Sequence, residues 1–96
     1  MTYKNTNKRD INEAEIVRFW LMFGALWIQQ KLEAGFDGLL IYKGEKYIVE
    51  IKQPDCKDRL TNNERATRDL MERQGVKYHI ITTIEEAAEL VGFELI

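Results

Sequence analysis

Asp37, Glu50 and Lys52 stand out as charged residues in a stretch otherwise rich in Ile, Leu, Val and Tyr. Two carboxylates are hard oxygen ligands for Mg²⁺, and Mn²⁺ can take its place at such a site. A lysine two residues from one of them can orient or deprotonate an attacking water, or balance charge on a phosphorane. These are the parts that phosphodiester hydrolysis needs. The backbone carbonyl of Ile51, between Glu50 and Lys52, is a further candidate ligand.

Whether the three groups meet depends on the strands that carry them. Phe36 to Tyr42 and Tyr47 to Lys52 have strand composition and flank Lys43-Gly44-Glu45-Lys46, the clearest hairpin in the chain. A two-residue Gly44-Glu45 turn with glycine first pairs Lys43 with Lys46 and sets Asp37 opposite Lys52. Alternation then brings Asp37, Glu50 and Lys52 to one face and leaves Leu40, Tyr42, Tyr47, Val49 and Ile51 as an apolar surface on the other. Leu39, Ile41 and Ile48 share the charged face, which puts the charges at the edge of a core. Spacing alone favours a plainer reading, in which these are ordinary solvated cross-strand pairs.

The remaining elements must hold this hairpin. Asn12 is the expected N-cap of a helix from Glu13 that carries Ile16, Phe19, Trp20 and Phe23 at helical spacing and ends near Gly24. Alternation from Leu26 through Leu32 predicts a first strand. After a polar loop around Pro54, Thr61 and Glu64 form a capping box for a helix running to about Gln74 and closed by Gly75. Val76 to Thr82 reads as a buried strand, and Thr83 caps a final helix through Leu90. The expected order is α-β-β-β-α-β-α, a single domain over residues 11–96 behind a polar leader at residues 1–10.

These segments together resemble the virus-type replication-repair nuclease (VRR-NUC) domain of the PD-(D/E)XK nuclease superfamily. Gly35-Phe36-Asp37-Gly38-Leu39-Leu40 looks like that family's Gly-x-Pro-Asp-Leu-Leu segment, and Glu50-Ile51-Lys52 matches its Glu-x-Lys. Leu60-Thr61 with the helix to Gly75, and His79 to Glu86, resemble its later segments. The likeness spans about residues 11 to 92. It implies a restriction-endonuclease-like mixed sheet flanked by helices, Mg²⁺ held by Asp37 and Glu50, and an endonuclease that hydrolyses DNA. The family also carries an acidic residue on the first helix. Glu13 is favoured for that role because it shares a helix face with Ile16, Trp20 and Phe23, whereas Glu15 lies with Arg18 and Met22. Two departures stand out: Phe36 replaces the family proline, and Glu64 occupies a position where glutamine is common. A carboxylate there repels phosphate unless a partner such as Arg68 holds it away from the metals. If Glu64 disables the chemistry, the chain is a noncatalytic nucleic-acid-binding or assembly module on the same fold.

Other residues carry weaker signals. Lys57, Arg59, Arg65 and Arg68 follow the Glu-x-Lys strand and are candidates to track a DNA backbone, although Asp58, Glu64 and Asp69 dilute that patch. His79, in a buried-looking strand, reads as structural. Tyr78 reads as core, and Trp20 and Trp27 as core or dimer interface.

The 96 residues, 45% hydrophobic and 31% charged with a net charge of -2, suit one domain and give no polybasic tail. Cys56 is the only cysteine, so no intrachain disulfide can form and a cytoplasmic setting is expected. The apolar run from Phe19 to Ile28 is well short of the roughly 20 residues a membrane span needs. It carries more large apolar side chains than one small sheet covers, so a homodimer joined partly through it is expected. Stand-alone proteins that resemble this chain are associated with branched DNA such as four-way junctions, whose near-twofold symmetry a dimer matches.

Overall fold

The computed structural model describes residues 11–93, so the expected leader lies outside the described residues. The elements are α1 (Glu13–Met22), β1 (Leu26–Gln29), β2 (Gly38–Tyr42), β3 (Glu45–Ile51), α2 (Asn62–Arg73), β4 (Tyr78–Ile81) and α3 (Ile84–Leu90), with 3₁₀ turns at Leu32–Ala34 and Pro54–Cys56. The order α-β-β-β-α-β-α is therefore as expected. One mixed sheet holds the strands in the order β1-β2-β3-β4. The first two pairings are antiparallel and β3 with β4 is parallel, the crossover being made through α2.

The hairpin register differs from expectation. Tyr42 pairs with Glu45 around Lys43-Gly44, and Gly38 pairs with Val49. Both turn residues take positive φ, 52° at Lys43 and 82° at Gly44, as a turn matching the strand twist requires. Glycine in the second position, where the larger φ falls, wins over glycine in the first. The register consequently moves by two residues, and Asp37 comes beside Glu50 rather than opposite Lys52. Because two is the side-chain period of a strand, every residue keeps its expected face.

The core lies on the face that Leu40, Val49, Ile51 and Ile81 present to α1 and α3, where it is filled by Ile16, Trp20 and Ala87. Trp20 is 0% exposed, and its indole N–H donates to the Ala87 carbonyl at 3.0 Å, so its one polar atom is satisfied. Its ring stacks on Trp27, 5.6 Å away. Burial of Glu13, Ile16 and Trp20 is the face expected for α1. Asn12 does not cap that helix: its backbone is helical and its side chain makes no capping bond. Instead Asn12 Nδ2 donates to the carbonyls of Lys52 and Thr82, at 3.0 and 2.8 Å, pinning the start of α1 across the ends of β3 and β4.

The alternation that suggested a strand through Leu32 is broken after Gln29, where the chain turns into the Leu32–Ala34 segment. This segment and α2 pack together beside the opposite face. Asn63 Nδ2 donates to the Glu33 carbonyl at 3.0 Å. Gly35, at φ +84°, lies so close to α2 that a Cβ would collide with the Thr67 side chain. The capping box of α2 is present as expected, with Glu64 N–H donating to Thr61 Oγ1 and Thr61 N–H to Glu64 Oε1. Among the described residues no helix is long and apolar enough to cross a membrane.

Candidate functional site

Asp37 ends the ladder between β2 and β3. Its own N–H donates to the Val49 carbonyl at 3.0 Å, and its Oδ2 accepts the Ile51 N–H at 2.7 Å. The carboxylate thus takes the place of a backbone acceptor, which fixes it against β3. A strand residue turns its N–H and C=O to the same side, so the Ile51 carbonyl faces the Asp37 edge as well.

Asp37, Glu50 and Lys52 line one cavity of about 390 Å³, together with Leu32, Ile51, Thr61, Asn63 and Glu64. The two sheet carboxylates are deeply set, at 8% exposure for Asp37 and 3% for Glu50. Lys52 Nζ lies 2.9 Å from Glu64 Oε1 and 3.5 Å from Glu50 Oε2. The sequence signal for Glu64 was its place at the third position of a capping box, but its partner is not the expected Arg68, whose guanidinium bonds Asp69 at 3.1 Å. Glu64 is held by Lys52 because the first turn of α2 lies over the end of β3.

The electrostatics follow from three carboxylates, Asp37, Glu50 and Glu64, set into one cavity. Burial, then the neighbouring charges of Asp37 and Glu64 and a hydrogen bond to Glu64, push Glu50 up to about 9. Glu64 is pushed up by burial too, but hydrogen bonds from Lys52 and the Thr61 N–H and one shared with Glu50 hold it below the ordinary carboxylate range. The crowding of charge in this cavity therefore favours the protonated form of Glu50 and the ionised form of Glu64. Tyr78 is buried behind the site and donates to the Gly35 carbonyl at 2.7 Å. Burial and then the charges of Glu50, Glu64 and Asp37 raise its pKa, so its hydroxyl keeps its proton.

The donor set suits a hard divalent cation. Among the described residues no three His, Cys, Asp or Glu side chains form a ready-made metal cage. Mg²⁺ does not require one: it is usually bound through one or two carboxylates and keeps several waters or phosphate oxygens. Asp37, Glu50 and the Ile51 carbonyl would hold it here, and a cation beside Glu50 would relieve the charge crowding that otherwise keeps that carboxyl protonated.

Glu13 is buried, at 6% exposure, on the expected face of α1. It lines a second cavity of about 490 Å³ with Val17, Leu21, Trp27 and Gln29, and it is not among the residues lining the Asp37 cavity. Glu15 is exposed, as the helical spacing implied.

The basic residues do not form one continuous track. Lys57 Nζ reaches Glu86 Oε2 on α3 at 2.9 Å. Arg65 turns back to Asn62 Oδ1 and the Leu60 carbonyl, at 3.1 and 3.0 Å. Arg59 is exposed on the loop before α2. His79 is half-buried with its ring edge-on to Tyr47, and burial, then Lys77, lowers its pKa, in keeping with a structural role. No family model, curated protein or solved structure matches the chain.

Proposed function

We propose that this protein is a Mg²⁺-dependent endonuclease that hydrolyses phosphodiester bonds of DNA, on a restriction-endonuclease-like form of the mixed sheet. The observation that carries the reading is the convergence of Asp37, Glu50 and Lys52 on one cavity at the end of β2 and β3. The motif resemblance supports it, and so does the element order. A bound divalent cation supplies two things at such a site, an activated water and charge withdrawal from a phosphoryl oxygen. The Asp37 and Glu50 carboxylates and the Ile51 carbonyl would hold the cation. The Lys52 amine, on the same side of the sheet, orients the attacking water or offsets charge developing on the phosphorane. Glu13 would support the metal ligands in this reading, although it lines a cavity that shares no residue with theirs.

Contacts to DNA are then mainly to phosphate, through Arg59, Arg65, Arg68 and Lys57, the last after release from Glu86. We further propose a homodimer suited to four-way junctions. Leu21, Met22, Leu26 and Ile28 from the predicted interface segment are exposed, and β1 is an edge strand. Light scattering at micromolar concentration tests this; a strict monomer that cuts linear and four-way DNA equally overturns the dimer and the junction preference together.

A noncatalytic binding module is the second reading, and Glu64 favours it. A third carboxylate engages the amine that the chemistry needs and adds negative charge where phosphate would sit. Incubation with linear and four-way DNA in Mg²⁺, Mn²⁺ or EDTA separates the two. Cleavage with the metals and not with EDTA is expected for the nuclease, and binding without cleavage in either metal identifies the module.

A further inference from the structure

Glu64 does more than cap a helix. A capping box needs one side-chain oxygen to accept the N-cap N–H, and Glu64 Oε1 does so for Thr61 at 2.9 Å. The same oxygen lies 2.9 Å from Lys52 Nζ, and the side chain is turned inward into the Asp37 cavity rather than out to solvent. Glutamate at this position thus links the first turn of α2 to the amine on the strand end. The contact is shorter than the 3.5 Å between Lys52 and Glu50.

A lysine amine rides on a flexible four-carbon stem, and restraint of that stem must come from its partners. Glu50 is a weak restraint for two reasons. Its contact is longer, and its oxygens are those that would face a cation. Glu64 keeps its hold on Lys52 whether or not Glu50 is engaged, because it approaches from α2 and not from the sheet.

We propose that Glu64 is a positioning residue, which fixes the Lys52 amine over the Asp37–Glu50 cavity and ties its placement to the docking of α2. This rests on the nuclease reading and adds to it a residue whose charge would otherwise count against activity. Misplacing a catalytic group by about 1 Å can cost on the order of a hundredfold in rate. Glu64→Ala therefore lowers kcat about a hundredfold. Glu64→Gln keeps an oxygen for both Thr61 and Lys52 without the charge, and it recovers part of that loss. Removing a negative charge beside the phosphate path leaves KM unchanged or lower in both variants, which gives a kcat loss without a KM rise.

The test has two arms. In EDTA, ¹³C relaxation of the Lys52 ε-methylene reads its restraint directly. The wild-type group is ordered, whereas in Glu64→Ala its motion is clearly larger. In Mg²⁺, steady-state cleavage gives kcat and KM. Met71→Ala, at the far end of α2, controls for loss of helix stability and leaves both readouts at wild-type values. A wild-type protein that cuts while Glu64→Ala keeps its kcat overturns the positioning role alone. An ε-methylene equally ordered in both proteins overturns it as well. A wild-type protein that cuts no DNA with either metal overturns the nuclease reading and the positioning role with it.

Discussion

Replacing Glu50 with glutamine should make the metal-free protein more stable while removing its capacity to hold a cation. Glu50 is 3% exposed, and burial first, then Asp37 and Glu64, push its pKa to about 9. In the unfolded chain it titrates near the ordinary glutamate value of about 4.3. The folded state therefore binds more protons than the unfolded state between these values. A raised folded pKa contributes stability that is present below the unfolded pKa and is lost as pH rises toward the folded one. The loss is about 1.4 kcal/mol per pH unit, so from pH 5 to pH 7.5 the wild type should give up roughly 3 kcal/mol through this group alone. Glutamine is a neutral isostere of the protonated acid and is free of that loss. Urea unfolding of wild type and Glu50→Gln in EDTA at the two pH values provides the assay, and contributions shared by both proteins, such as His79, cancel in the comparison. The variant's advantage should grow by roughly 3 kcal/mol between pH 5 and pH 7.5. Added Mg²⁺ should then stabilise the wild type and not the variant. Stability curves that run parallel across this pH range would refute the account of Glu50 as a carboxyl kept protonated by its neighbours.

If the proposed function holds, Lys52→Ala should lose nearly all cleavage yet bind Mg²⁺ like wild type in titration calorimetry, because its amine would act on the reaction and not as a ligand, whereas Asp37→Ala should lose both. Gly35→Ala should destabilise the fold by roughly 3 kcal/mol in thermal or urea unfolding, since a residue at φ +84° with a side chain is strained and its Cβ would strike Thr67 on α2. Asn12→Ala should cost roughly 1–3 kcal/mol by leaving the Lys52 and Thr82 carbonyls without their amide donor, and hydrogen exchange should show the ends of β3 and β4 opening first.

The elements most legible in the sequence are those with both a period and a punctuation mark. The helix begun by Thr61 and Glu64 has a capping box at one end and Gly75 at the other, and it forms as Asn62–Arg73. The faces of the hairpin were legible because alternation survives any even shift in register. The register itself was not, since Lys43-Gly44 and Gly44-Glu45 both offer a glycine-containing two-residue turn and the choice rests on backbone twist. Asn12 misled for a related reason. Its type suits a cap, but two distant carbonyls, just after β3 and just after β4, compete for its amide, and long-range contacts leave no local pattern. The same limit applies to Glu64, whose capping role is written in the neighbouring residues while its bond to Lys52 arises only when α2 docks over the strand end. Asp37, Glu50 and Lys52 share a face by strand parity, which the two-residue change of register preserves.

In the proposed reaction, DNA is cut with the help of a divalent cation held at Asp37 and Glu50. Its most direct test is single-turnover cleavage of an end-labelled four-way junction by wild type and Asp37→Asn, purified in parallel, in Mg²⁺ and in EDTA. Discrete cleavage products are expected only from the wild type in Mg²⁺. Equal cutting by Asp37→Asn, or wild-type cutting that survives EDTA, would contradict it.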